Sequence, residues 1–254
     1  MTALITGASG GIGEAISREL ARRKIDLVLV ARSGDKLEQL AADVRRDLGV
    51  KAHAIAADLT APGAVADVLA RANQAAGRID ILVNNAGFAT FGPFKHSDLK
   101  SEIEMIRLNV EVLTELTRRA LPDLLTARGR ILNVASTAAF QPGPLMAAYY
   151  ATKAYVLSFS EALAEELASD GVTVTALCPG PTRTGFQSRA GMGRERLFTL
   201  GLMSADAVAT RAVKGLFRGR RVVVPGLSNW LGTQLVRIPP RRLAPKIVRW
   251  LHGR

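Results

Sequence analysis

Apolar runs of three to seven residues alternate along most of the chain with amphipathic stretches of ten residues or more. The runs at 3–5, 26–31, 51–57, 79–83, 130–135, 172–178 and 221–224 are rich in Val, Ile, Leu and Ala, the composition of strands covered on both faces. The intervening stretches at 14–23, 35–48, 62–76, 98–126, 147–168 and 204–217 repeat their apolar positions at helical spacing. Strict alternation of the two kinds predicts an α/β domain of parallel strands joined by right-handed helical crossovers.

Beyond Gly226 the pattern changes. Leu227, Trp230, Leu231, Leu235 and Ile238 make one helical stripe, and Leu243, Ile247, Trp250 and Leu251 make another after Pro239-Pro240, flanked by Arg241, Arg242, Lys246 and Arg249. Residues 227–254 therefore read as a basic amphipathic extension of a single domain that otherwise ends near residue 226.

The 254 residues suffice for one full α/β core. A formal charge of +12 raises the question of a nucleic-acid partner, but the charge is not spread evenly. All 22 acidic residues lie in 1–206 with 23 Lys and Arg, whereas residues 207–254 carry the other 11 cations and no acid. Basicity belongs to the C-terminal segment. It suits either an anionic membrane surface, with Trp230 and Trp250 at headgroup level, or a subunit contact with the Arg residues in solvent. No aromatic-rich binding strand or base-reading motif accompanies it, which weighs against nucleic acid. The single Cys excludes an internal disulfide, and His53, His96 and His252 are too scattered to imply a metal site. Cys178 sits in an apolar run as a small hydrophobe. The first strand begins close to Met1 and no apolar run reaches spanning length, so the expected location is the cytoplasm, with membrane association through the extension as the variant.

The chemistry is concentrated at strand ends. Thr6-Gly7-Ala8-Ser9-Gly10-Gly11-Ile12-Gly13 joins the first strand to the first helix, where a glycine-rich turn and a helix N-terminus can hold a pyrophosphate. After the second strand come Ala31, Arg32 and Ser33. An acid at this place reads a free ribose 2'-hydroxyl, whereas a basic side chain reads a 2'-phosphate; the missing acid and the presence of Arg32 and Ser33 favour NADP over NAD. Asp58 and Leu59 close the third strand, and Asp58 has the competing reading of a cap for the next helix. Asn84-Asn85-Ala86-Gly87 closes the fourth. Asn109 falls inside the 98–126 helical pattern, where Asn is disfavoured. Ser136 closes the fifth strand.

Tyr149 and Lys153 lie four residues apart on one helix face, so a phenol and an ammonium can point at one bound molecule. A nearby cation favours the phenolate and would draw its pKa down toward neutrality. Tyr150, three residues from Lys153, competes for that role.

Together, the Thr-Gly-x-x-x-Gly-x-Gly turn, Asn-Asn-Ala-Gly, Ser136 and a Tyr-x-x-x-Lys thirteen residues later resemble the short-chain dehydrogenase/reductases over about residues 2–226. The resemblance selects Tyr149 over Tyr150. It implies a Rossmann-like, doubly wound parallel sheet of about seven strands with helices on both faces, and a dinucleotide held by Gly7, Ser9, Gly11, Ile12, Gly13, Arg32, Ser33, Asp58, Leu59, Asn85, Ala86 and Gly87. Tyr149, Lys153, Pro179, Gly180, Thr182 and Thr184 complete that set. The catalytic group it implies is Ser136, Tyr149, Lys153 and Asn109, the last holding a water through its backbone carbonyl. Residues 185–203, with Phe186, Met192, Leu197, Phe198, Leu200, Leu202 and Met203, are expected to form a lid over an apolar substrate. A homodimer or homotetramer is expected through helices 98–126 and 149–168. The function expected is NADPH-dependent reduction of a small-molecule carbonyl to a secondary alcohol, or the reverse. Its rivals are a non-catalytic NADP-binding regulator and a membrane-surface protein acting through the extension.

Overall fold

A computed structural model describes residues 1–186, 202–236 and 242–251. Strands β1 (Thr2–Thr6), β2 (Asp26–Ala31), β3 (Ala52–Ala56), β4 (Ile81–Asn84), β5 (Arg130–Val134) and β6 (Thr173–Leu177) follow the apolar runs. Helices α1 (Gly11–Arg22), α2 (Gly34–Leu48), α3 (Ala64–Ala76), α4 (Leu99–Ile106), α5 (Leu113–Ala127) and α6 (Ala147–Glu166) alternate with them. A small ladder of β7 (Thr182–Arg183) and β8 (Met203–Ser204) precedes α7 (Ala205–Phe217), β9 (Val222–Val223), α8 (Leu227–Leu235) and α9 (Ala244–Leu251).

The described strands form a seven-stranded, wholly parallel sheet in the order β3-β2-β1-β4-β5-β6-β9. β1 pairs with β2 on one side and β4 on the other, so the chain reverses its direction of winding between them. Open α/β sheets bind ligands at that switch point, beyond the carboxyl ends of the strands. The ends of β1 and β4 carry the glycine-rich turn and Asn85-Ala86-Gly87.

Alternation along each strand divides the core. Ala3 and Ile5 of β1 pack with Ile16 and Leu20 of α1, Leu37 of α2 and Val208 of α7, whereas Leu4 packs with Val68 of α3 and Leu116 and Leu124 of α5. Each Leu or Ile fully buried in this way contributes about 1.5–3 kcal/mol. Polar groups inside are mostly paired, although Asn84 Oδ1, Glu102 Oε2 and Thr175 Oγ1 lack a partner among the described residues. Asn84 and Asn133 stand in register on β4 and β5; Asn84 Nδ2 donates to Asn133 Oδ1 at 2.8 Å and to Thr117 Oγ1 at 2.9 Å. Asn133 Nδ2 donates to Ser160 Oγ at 2.9 Å, so one buried chain ties two strands to α5 and α6.

Three elements depart from the sequence pattern. The helix expected over 98–126 is divided: between α4 and α5, residues Arg107–Val112 form a π-helical turn. One wide turn leaves the apolar period nearly intact on either side, so the pattern does not reveal it. Helix α3 starts at Ala64 rather than 62 because Gly63 (φ 75°) occupies its N-cap, and β9 shortens from 221–224 to two residues. Most of the expected lid, including Met192, Leu197, Phe198 and Leu200, lies outside the described residues. So do Ile238, Pro239, Pro240 and Arg241.

Candidate active site

The turn after β1 is shaped by close backbone approach. Thr6 Oγ1 accepts hydrogen bonds from the backbone N–H groups of Asn85 and Ala86, both at 3.0 Å, and Asn85 Nδ2 donates to the carbonyls of Thr6 at 2.9 Å and Gly7 at 3.1 Å. Gly7 has φ 65°, and a Cβ on Gly13 would collide with Gly7 O and Asn85 Nδ2. These glycines are required by the fold itself. Gly10 is different: a Cβ there would meet nothing within 4 Å, and it stands at the N-cap of α1 without a side-chain cap. The first turn of α1 therefore opens on free space at the switch point, where N–H groups and the positive helix end suit a diphosphate. Ser9 is half-buried beside it, while Ile12 packs against the first core layer. Thr184 lies across from Gly11, whose Cβ would stand 3.2 Å from Thr184 Cγ2. The shape, helix end and polarity fit a dinucleotide.

At the end of β2, Arg32 and Ser33 are exposed, and Ser33 sits at the N-cap of α2 without capping it. The Arg32 charge helps hold the Asp58 carboxyl below its ordinary range, although Thr60 has the larger effect. Asp58 Oδ1 accepts from Thr60 N at 3.0 Å and Thr60 Oγ1 at 2.7 Å, closing a local turn. It does not cap α3, so that reading is corrected: the turn consumes one oxygen, and Gly63 lies between it and the helix. The Leu59 side chain is buried in the second core layer. Pro179 O accepts from Thr137 N at 3.0 Å, Gly180 abuts the Asn229 amide, and buried Thr182 donates to Gly180 O at 2.9 Å. Arg183 is exposed.

Ser136, Tyr149, Lys153 and Asn109 converge from three elements. Ser136 lies two residues past β5, not at its end, in extended backbone that leads into the short 3-10 turn Thr137–Phe140. Its Oγ accepts from Ala138 N at 3.1 Å and is also hydrogen-bonded to the Tyr149 phenol. Lys153, buried one helical turn after Tyr149, donates to Val134 O at 2.7 Å, and its Nζ stands 5.8 Å from the Tyr149 ring centroid. The π-helical turn delivers Asn109. Its Nδ2 donates to Phe88 O at 3.0 Å and Thr152 Oγ1 at 3.1 Å, its Oδ1 accepts from Phe88 N at 3.2 Å, and Thr152 Oγ1 donates to Tyr149 O at 2.7 Å. A Cβ on Gly87 would lie 2.7 Å from Asn109 Oδ1, so Gly87 permits this contact.

The electrostatics differ from the sequence expectation. Burial pushes the Tyr149 phenol up to about 12, and Ser136, not Lys153, opposes that rise. Lys153 is itself drawn down to about 8 by burial. A cation in water would favour the phenolate, but here both groups lose their hydration and the ammonium is directed at a carbonyl. Tyr150 is pushed up further still by burial and by Tyr149 beside it, and it is Tyr149 that pairs with Ser136. Cys178 is buried with its thiol raised to about 12, which fits a packing role.

Thr152 and Val248 escaped the sequence reading. Thr152 carried a signal, three residues after Tyr149 on a helix interior. Val248 did not: it comes from α9 to join Ala89, Met105, Ala138, Met146, Tyr149 and Tyr150 in one apolar cluster. Phe186 packs there too, with its ring 5.8 Å from that of Tyr149.

The sequence profile of a family described as short chain dehydrogenase matches residues 1–195. The oxidoreductase UcpA of Escherichia coli (strain K12) is 39% identical over 185 residues, covering 72% of this chain and 70% of the relative. A short-chain dehydrogenase from Sphingobium yanoikuyae in complex with NADPH superposes with a TM-score of 0.83 at 39% identity, covering 93% of each chain. The 3-ketoacyl-(acyl-carrier-protein) reductase from Brucella melitensis complexed with NADH gives 0.80 at 29% identity over 88% of this chain and 95% of its own.

Proposed function

Because the chain belongs to the short-chain dehydrogenase/reductase family, we propose that it reduces a carbonyl of an apolar small molecule to a secondary alcohol with NADPH, or runs the reverse reaction. The observation that carries this reading is the Ser136, Tyr149 and Lys153 cluster beside the glycine cradle. When bound, the dinucleotide supplies the hydride. Tyr149 gives its phenolic proton to the carbonyl oxygen as negative charge develops there, and a phenol held in its neutral form by burial is the right species to donate. Ser136 Oγ, already bonded to that phenol, donates to the same oxygen. Lys153 supplies the local positive charge and stands close to Gly87, where it would hold the nicotinamide ribose. Asn109 and Thr152 hold the helix turn that bears Tyr149. Pro179, Gly180, Thr182 and Thr184 would hold the nicotinamide and diphosphate parts of the dinucleotide.

NADP preference rests on Ala31, Arg32 and Ser33: no acid stands directly after β2, where it would read a free 2'-hydroxyl, and the Arg32 guanidinium is exposed there to meet a 2'-phosphate. The apolar character of the substrate rests on Phe88, Phe91, Met146 and Phe186 around Tyr149. Assembly as a dimer or tetramer rests on Leu99, Ile103 and Ile106, an exposed apolar stripe on α4, and on Tyr155 of α6. Screening aliphatic, aromatic, steroid and acyl ketones for NADPH oxidation tests the function. Absence of turnover across that panel, with NADPH bound, would favour the regulator.

A further inference from the structure

The two helices after Gly226 both turn large apolar side chains outward. In α8 the side chains turned to the protein are polar: Asn229 Nδ2 donates to Pro225 O at 2.7 Å and its amide lies against Gly180, while Thr233 is 3% exposed. The outward stripe is apolar, with Leu227, Trp230, Leu231 and Leu235 exposed by 72, 48, 45 and 60%. In α9, Ala244 and Val248 face inward, and Val248 reaches the Tyr149 cluster. At helical spacing Leu243, Ile247 and Trp250 make a second stripe, exposed by 38, 48 and 62%, and Arg242, Lys246 and Arg249 make a third that is wholly exposed. Both helices meet the Thr137–Phe140 turn, α8 directly and α9 through Val248 beside Ala138.

Burial in water selects the opposite arrangement, so these outward faces suit a partner surface. Charge narrows its chemistry: residues 227–254 hold six Lys and Arg and no Asp or Glu. A second copy meeting this face about a two-fold axis would set Arg242, Lys246 and Arg249 against the same three cations. Nucleic acid would satisfy the charge but not the leucines. Among the described residues no helix is long and apolar enough to cross a membrane.

We propose that α8 and α9 form one platform that docks on an anionic phospholipid surface. Leu227, Leu231, Leu235 and Ile247 enter the boundary of the acyl region, Trp230 and Trp250 lie at headgroup depth, and Arg242, Lys246 and Arg249 face lipid phosphates. Since Val248 on the inner side of α9 belongs to the Tyr149 cluster, docking sets the candidate active site roughly 10 Å, one helix diameter, from the bilayer.

Flotation of the full chain with vesicles of phosphatidylcholine, with and without added phosphatidylglycerol, at about 0.15 M salt tests this. The chain is expected to float with the anionic vesicles only, with a blue shift of tryptophan emission. Leu231→Glu combined with Ile247→Glu is expected to lower the bound fraction about tenfold or more, and Lys246→Glu with Arg249→Glu to do the same without touching an apolar contact. Circular dichroism verifies that each variant is folded. A wild-type chain that stays unbound, binding that survives both variants, or variants that lose subunit assembly instead of vesicle binding would overturn the proposal. So would equal binding to uncharged vesicles, or a preference for duplex DNA over anionic vesicles. Flotation needs neither NADPH nor a carbonyl substrate, so its outcome is independent of the reductase reading.

Discussion

The Nζ of Lys153 stands 5.8 Å from the ring centroid of Tyr149 and is tied at 2.7 Å to the carbonyl oxygen of Val134. Burial lowers the folded pKa of Lys153 from 10.5 to about 8, so between these values the unfolded chain binds more protons than the folded one. The contribution of Lys153 to stability is therefore expected to rise with pH across that window, as the cost of a buried ammonium is relieved, and above pH 9 the Cys178 thiol, raised to about 12, works against it. Tyr149 acts with the opposite sign and later: its pKa rises from 10 to about 12 on folding, so its contribution is present below pH 10 and lost as pH approaches 12. Urea midpoints measured between pH 7 and 10 check this. Lys153→Met is expected to flatten the rise between pH 8 and 10, and an unchanged slope would show that another group produces it.

Ser136 bonded to Tyr149 separates the two neighbouring tyrosines functionally. Tyr149→Phe is expected to lower kcat by about 10²- to 10⁴-fold, the range of a lost general acid, while NADPH fluorescence titrations remain near wild type. Tyr150→Phe is expected to keep most activity, since its ring packs edge-on to Tyr149 and over Gly143. Equal losses from both changes would remove Tyr149 from the role of donor.

Arg32 follows β2 with its side chain exposed. If it reads a 2'-phosphate, Arg32→Ala is expected to weaken NADPH binding by about 1.5–3 kcal/mol and to leave NADH nearly unchanged. Calorimetric titration with both dinucleotides gives the difference directly. Parallel losses would place the phosphate elsewhere.

Gly13 and Gly10 serve the same turn in different ways. Gly13→Ala drives a methyl into Gly7 O and Asn85 Nδ2, and is expected to lower Tm by several degrees as well as cofactor affinity. Gly10→Ala meets nothing within 4 Å, so its Tm is expected to hold while NADPH binding weakens. Thermal melts with and without NADPH distinguish the two; a drop in Tm for Gly10→Ala would show that Gly10 is structural.

Ile103 and Ile106 leave an apolar stripe of α4 in solvent. Ile103→Asp with Ile106→Asp is expected to shift the assembly toward monomer, read by light scattering at micromolar concentration. A wild-type monomer under those conditions would refute assembly through this face.

Local chemistry fixed much of this protein before folding is considered. Continuous apolar runs such as Ala3-Leu4-Ile5, buried on both faces, and helical spacing in the stretches between them determine the alternating α/β order, because both patterns are set by a few consecutive residues. The Thr6–Gly13 turn and the Tyr149 and Lys153 spacing are likewise local, and they were enough to indicate a dinucleotide and an acid/base pair. Tertiary structure decided the rest. The Asn84, Asn133 and Ser160 chain joins residues far apart in sequence, and the wide turn at Asn109 preserves the apolar period that would have revealed it. Desolvation raised the Tyr149 phenol where the spacing to Lys153 led one to expect a fall, since a pKa depends on what surrounds both charges and not on their spacing alone. In the extension, composition predicted amphipathic helices, but which side would face the protein was open. The fold gave the inner side to Ala244, Val248, Asn229 and Thr233, because small and polar side chains fit against the 3-10 turn and Gly180, and left the larger apolar residues outside.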